Sequence, residues 1–270
     1  MKEFLIRTAS GLTFAALMIG SVTIHPLVFL AVFVLILIKG LVEFYGFFRD
    51  TEHKPMAIPG IAFGIILFVL FFLVNYLDIS GKIFLLLPVI ALILFSMPMF
   101  GKKADTLLPL GVTFLGILYV AIPVSLMNGL VFHPYKEGFD YQVALFLFAI
   151  IWLNDTGAYI TGMLIGRHKM FPRISPKKTW EGLAGGLAFS LLASWLIRPL
   201  VPDIPANWAW LLTLAIILAG TLGDLVESAF KRAAGLKDSG KFMPGHGGLL
   251  DRFDSFLFAV VAVYVLIYIQ

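Results

Sequence analysis

Residues 224–254 read DLVESAFKRAAGLKDSGKFMPGHGGLLDRFD, a polar band between two apolar segments, 208–230 and 250–269. About half of the band is charged, His or Gly, whereas charged residues make up 13% of the whole chain. An apolar run that breaks into such a band and then resumes predicts a membrane span, a polar loop and a second span. Asp224 and Glu227 are spaced i, i+3, as are Asp251 and Asp254, so each pair is expected to share a helix face. Four carboxylates then bracket one loop. Among them lie Lys231, Arg232, Lys237, Lys241 and Arg252, and the turn Gly245-His246-Gly247-Gly248, whose glycines permit close backbone approach to a ligand. Carboxylates, lysines and a Gly-rich turn together suit a divalent cation and a polyphosphate.

Outward from this band the chain is apolar: 60% of its residues are hydrophobic and mean hydropathy is +0.97. A soluble fold of this length has too little interior for so many aliphatic and aromatic side chains. The expected fold class is all-α, a polytopic membrane protein. About nine spans are expected, near 8–24, 27–48, 58–77, 83–100, 107–130, 142–165, 182–201, 208–230 and 250–269, a bilayer crossing needing ~20 residues. The joints are short, so residues 1–270 are expected to form a single integral membrane domain, with 1–130 largely apolar and 142–270 carrying the chemistry. Residues 1–24 also resemble an export signal, but another span follows almost at once. With no cysteine, disulfides and thiolate chemistry are excluded.

Basic residues set the expected orientation. With a cytoplasmic N-terminus, alternate loops place sixteen Lys and Arg inside and three (Lys82, Lys136, Arg198) outside, with Lys39 inside a span. The N-terminus is therefore expected in the cytoplasm and the C-terminus outside. The two basic loops, 166–181 and 231–249, then face the cytoplasm. The net charge of +4 reflects this asymmetry and attraction to anionic lipid, and needs no nucleic acid.

Few polar residues precede position 130, and none is assigned to chemistry. Glu43, within the second span, is the exception: a carboxylate there is costly and so hints at function, but the favoured reading is an interfacial residue paired with Lys39 at i, i+4. His25, His53 and His133 are expected at the surface. In the sixth span, Asn154-Asp155-Thr156-Gly157-Ala158-Tyr159 places a carboxylate mid-membrane, which requires a partner or a wet cavity. Glycines 157, 162 and 166 are expected to serve helix packing. At Ser175-Pro176-Lys177-Lys178-Thr179-Trp180-Glu181-Gly182, Pro176 suggests a helix N-terminus capped by Ser175, with both lysines in the first turn. Lysines oppose the helix dipole there, so a phosphate is the expected occupant.

The spacing Ser228-x-x-Lys231-Arg232-x4-Lys237-Asp238, followed by His246-Gly247-Gly248-x-x-Asp251-Arg252-x-Asp254, resembles the signature of the phosphatidate cytidylyltransferases, also called CDP-diacylglycerol synthases. All the polar positions agree, and Met243 stands where that family more often has Ile, Leu or Phe. Asn154–Tyr159 and Ser175–Gly182 resemble the same family. The resemblance implies transfer of a cytidylyl group from CTP to phosphatidic acid, with release of pyrophosphate, at the cytoplasmic face of the cell membrane. On that reading Asp224 and Asp251 are the expected Mg²⁺ ligands, with Glu227 and Asp254 as second choices and a second cation left open. Ser228, Lys231, Arg232, Lys237, His246, Gly247, Gly248 and Arg252 would serve the phosphates, with Lys237 counted among the catalytic groups. Lys177, Lys178, Asn154 and Asp155 would bind the lipid head or the nucleotide. A homodimer is implied by the resemblance alone. The rivals are a CTP-dependent polyprenol or phytol kinase, which lacks this full run, and an ion-coupled carrier, for which the chain shows no internal repeat. A structural membrane scaffold would leave the charged band unexplained.

Overall fold

The structure, a computed structural model, describes residues 2–49, 51–100, 107–134, 136–202, 204–240, 242 and 247–269. Its helices are α1 (Lys2–Thr23), α2 (Pro26–Gly46), α3 (Ala57–Tyr76), α4 (Leu86–Ser96), α5 (Leu107–Val131), α6 (Gln142–Ile165), α7 (Trp180–Ile197), α8 (Ala206–Ala233) and α9 (Leu250–Ile269). Seven are long and apolar enough to cross a membrane: α2, α3, α5, α6, α7 with the turn that follows it, α8 and α9. The two remaining expected spans appear as shorter apolar helices, Thr8–Thr23 and Gly81–Ser96.

Local chemistry explains most boundaries. Pro26 opens α2, where its missing N–H costs nothing, and His25 Nδ1 accepts from the Leu27 N–H at 3.1 Å. His25 is thus a helix cap. Within α5 the chain widens to a π-turn over Ile117–Ala121, just ahead of Pro123, whose ring would otherwise meet the carbonyl four residues back.

The region before α7 corrects the expectation from sequence. Lys169–Phe171 (β1) and Ser175–Thr179 (β2) form an antiparallel hairpin, pairing Lys169 with Thr179 and Phe171 with Ser175. Helix α7 begins only at Trp180, and its cap is Thr179, whose Oγ1 accepts from the Gly182 N–H at 3.1 Å. A residue preceding proline is driven out of the helical region, which makes Ser175 extended rather than a cap. Lys177 and Lys178 therefore lie on a strand. Glu181 fixes the hairpin from behind, accepting from the N–H groups of Arg167 and His168 and pairing with His168 Nδ1 at 2.5 Å.

Small residues bring the last four helices into two close pairs. Between α6 and α7, a methyl on Gly185 would stand 2.0 Å from Thr161 Oγ1, and one on Gly157 2.6 Å from Phe189 Cβ. Between α8 and α9, a methyl on Gly223 would stand 2.4 Å from the Asp254 carbonyl. In lipid, where apolar burial does not drive association, such approach is what dispersion and packing require. An aromatic cluster of Phe29, Phe33, Phe68, Phe72, Phe148 and Phe256 ties α2 and α3 to α6 and α9, with Phe33 and Phe256 ring centroids 6.5 Å apart.

His133 is not at the surface. It is 2% exposed, with Nε2 3.5 Å from Asp140. Burial acts to raise the Asp140 carboxyl, but hydrogen bonds from Lys136 at 2.5 Å and the Gln142 N–H at 2.7 Å prevail and hold it below the usual carboxylate range.

Candidate active site on the last four helices

Two cavities meet at a shared wall of Asp155 and Asp224. One, about 400 Å³, lies between α6, the hairpin and α7, and is lined by Asn154, Lys177, Lys178, Thr179, Tyr159 and Met163 among others. The other, about 300 Å³, is lined by Asp251, Arg252, Asp254, Trp152, Ile151 and Phe14 together with the shared pair. Residues from 11 to 254 thus converge on one region. The cavities differ in chemistry: the first balances the shared carboxylates with two lysines and adds apolar wall, and the second adds Asp251, Asp254 and Arg252. A larger apolar groove of about 820 Å³ lies between α5, α8 and α9, lined by side chains such as Leu118, Leu214, Leu218 and Val261. It offers almost no polar group for chemistry.

The carboxylates are held by cations and by backbone. Asp224 forms an ion pair with Lys178 and accepts from Ser228 Oγ at 3.3 Å. Lys231 is 8% exposed; it is ion-paired with Glu227 and reaches Asp251 Oδ1 at 2.6 Å. Asp251 Oδ2 accepts from the Ser239 N–H at 2.9 Å and the Gly248 N–H at 2.8 Å, and lies 3.0 Å from Ser239 Oγ. Asp254 Oδ1 accepts from the Ser255 N–H at 2.6 Å and lines the acidic cavity.

Some expected site residues stand apart. Asp224 and Glu227 do not act as one pair: Asp224 faces the cavities, while Glu227 is fully buried against Lys231 and lines neither of them. The 60° between positions i and i+3 is enough to point them to different neighbours. Arg232 is exposed and holds the Ile174 and Leu236 carbonyls, at 3.4 and 3.0 Å, tying the hairpin to the end of α8. Lys237 is exposed on the loop. His246, Lys241 and Met243 lie outside the described residues. Gly247 and Gly248 do admit close approach, but to the protein's own carboxylates. Gly247 has φ +84°, and a methyl on Gly248 would stand 2.1 Å from Ser239 Oγ and 2.6 Å from Glu43 Oε2.

Ser239 and the second partner of Glu43 escaped the sequence reading. Glu43 keeps its expected pair with Lys39, at 3.3 Å, but its carboxylate also meets the loop before α9. Ser239 joins Glu43 to Asp251: its hydroxyl, with one proton to give, lies 3.1 Å from Glu43 and 3.0 Å from Asp251, and its N–H donates to Asp251 at 2.9 Å. The only sequence signal was a carboxylate inside an apolar span, which nothing local could connect to a loop some 200 residues away.

Asp224, Asp251, Asp254 and Asp155 supply hard oxygen donors around one cavity, the type Mg²⁺ takes. Among the described residues no three acidic or His side chains gather into a complete metal site. A cation here would have to be held by one or two of these carboxylates together with water and substrate phosphate, a donor set of the chemical type Mg²⁺ takes.

Comparison with known proteins matches residues 5–270 to the cytidylyltransferase family. A phosphatidate cytidylyltransferase of Staphylococcus saprophyticus is 40% identical over 221 residues, covering 79% of this chain and 81% of the relative. One from Staphylococcus epidermidis is 34% identical over 265 residues, covering 91% and 97%. One from Staphylococcus aureus is 42% identical over 178 residues, covering 65% of each.

Proposed function

The chain belongs to the cytidylyltransferase family, and from that premise we propose that it transfers a cytidylyl group from CTP to phosphatidic acid, yielding CDP-diacylglycerol and pyrophosphate. It is a membrane nucleotidyltransferase of the phosphatidate cytidylyltransferase kind. The observation that carries the finer reading is the pair of cavities sharing Asp155 and Asp224, one adding two lysines and apolar wall to that pair, the other two further carboxylates and Arg252. Two substrates that must exchange a phosphoryl bond need two adjoining sites with a common wall.

In the reaction an oxygen of the lipid phosphate forms a bond to the α-phosphorus of CTP as the bond to the β-phosphate oxygen breaks. Pyrophosphate leaves, and no proton has to be removed from the nucleophile. The work is therefore alignment and neutralisation of charge. Lys178, and Lys177 beside it, would hold phosphate oxygens in the first cavity, and Arg252 would do so in the second. Lys231 keeps Asp251 oriented. Mg²⁺ held through Asp224 and Asp251 would neutralise the transferring and leaving phosphates.

The seven long apolar helices make this a membrane protein, and its bacterial relatives imply the cell membrane. Nine spans, a cytoplasmic N-terminus and a site facing the cytoplasm complete the proposal, supported by the distribution of basic residues. A homodimer is proposed on family resemblance. The deciding experiment incubates the purified chain with CTP, phosphatidate and Mg²⁺. A cytidine-bearing lipid with equimolar pyrophosphate is expected, abolished by chelation. A phosphorylated lipid with CDP would instead reveal a kinase.

A further inference from the structure

Resting on the cytidylyl-transfer reading above, we propose that Glu43 of α2 is a positioning residue for that reaction, acting through Ser239 on Asp251. Glu43 is 5% exposed and lies in the part of the chain otherwise devoted to apolar packing. Its Oε2 accepts from the Leu250 N–H at 2.9 Å, across 207 residues of sequence, and from Ser239 Oγ at 3.1 Å. The Ser239 N–H donates to Asp251 Oδ2 at 2.9 Å, and with its one hydroxyl proton given to Glu43 the Ser239 Oγ lies 3.0 Å from the same Asp251 oxygen. The backbone is shaped to this carboxylate: a methyl on Gly240 would stand 2.8 Å from Glu43 Oε1, and one on Gly248 2.6 Å from Oε2. Lys39, one turn earlier on α2, pairs with Glu43 at 3.3 Å and sits 5.5 Å from the ring centroid of Phe242.

These contacts serve two ends. The first N–H of α9, which has no partner within its helix, is satisfied from another helix. Ser239 and Leu250 are held by Glu43 so that Asp251 presents its carboxylate at a fixed angle. A buried carboxylate in a membrane span is costly, and here its neighbours are donors: a hydroxyl, a backbone N–H and an ammonium. Gln cannot replace it, because an amide offers one acceptor oxygen and sets its NH₂ against a donor.

The test uses the full chain in detergent, with Glu43→Gln, Ser239→Ala and the double variant. Groups that orient a functional carboxylate typically affect activity by about 10–100-fold. Glu43→Gln and Ser239→Ala are each expected to lower kcat within that range, with the KM values for CTP and phosphatidate changing much less. The double variant should be no worse than the poorer single one, since both act through one chain of contacts. Hydrogen exchange of the 247–251 backbone, measured without substrate, should quicken in Glu43→Gln. Independent, multiplying losses would overturn the coupling. So would a kcat near that of the unsubstituted chain in Ser239→Ala, a variant that remains informative if Glu43→Gln fails to insert. Were the unsubstituted chain to transfer no cytidylyl group, the function would fall, and unaltered exchange in Glu43→Gln would separately remove the positioning role.

Discussion

Asp251 concentrates more interactions than any other single carboxylate in the site: an ammonium, two backbone N–H groups and a hydroxyl. Replacing it with Asn keeps the shape and removes the charge. Turnover should fall by about a hundredfold or more, the scale for losing one well-placed charge-stabilising group, while insertion and folding survive. Lys231 makes a contrasting prediction. Glu227 is 0% exposed and paired with it, so Lys231→Met strands a buried carboxylate. That loss should cost about 3–5 kcal/mol, making Lys231→Met melt well below Asp251→Asn. Equal melting of the two variants would show that Glu227 does not depend on the ammonium.

The α8–α9 pair is closed at Gly223, where a side chain would strike the Asp254 carbonyl at 2.4 Å. Backbone cannot swing aside as a flexible side chain can. Gly223→Ala is expected to cost about 1–3 kcal/mol and to lower activity, because Asp224 and Asp254 share one cavity. Gly111→Ala, where nothing stands within 4 Å, should show no loss in melting temperature. The hairpin before α7 changes what its lysines should do. On a strand they meet no helix dipole, so neutralising them brings no gain in stability. Lys178→Gln should leave the melting temperature without substrate unchanged or lower by at most about 1 kcal/mol of stability, the scale for a partly exposed pair. Its Michaelis constants should rise clearly more than those of Lys177→Gln, because Lys178 alone of the two is paired with Asp224. Equal effects in the two variants would place the phosphate outside the shared wall.

Across the whole chain, orientation can be read with thiols, since no native cysteine competes. A cysteine introduced beside Lys177 or Lys237 should react with impermeant maleimides only when the cytoplasmic face is open. Labelling of intact cells from outside would reverse the topology and separate the site from CTP. At the opposite end of α6, Asp140 supplies a pH handle. Its folded carboxyl lies below the ordinary range, so its contribution is present above that range and lost as pH falls through the folded value. Asp140→Asn should therefore flatten the acid limb of a melting-temperature profile and leave the neutral-pH reaction unaffected.

The sequence alone determined the helical, membrane-spanning class, most segment boundaries to within a few residues, and the chemical character of the C-terminal band. Insertion depends on the apolar content of one ~20-residue stretch at a time, and that is a local quantity. The motif was equally local: Asp224, Asp251, Arg252 and Asp254 lie within 31 residues, and the structure does gather them on one cavity. Only the tertiary structure decided which neighbours those groups face. It turned Glu227 away to Lys231, made a strand of Lys177 and Lys178, buried His133 against Asp140, and brought Glu43 to the loop that supports Asp251. The last of these depends on how helices remote in sequence pack face to face, and in lipid that choice rests on small residues and polar partners whose complements lie elsewhere in the chain; the others turn on which nearby group prevails, as the i+4 lysine does for Glu227 and the hairpin pairing for the two lysines.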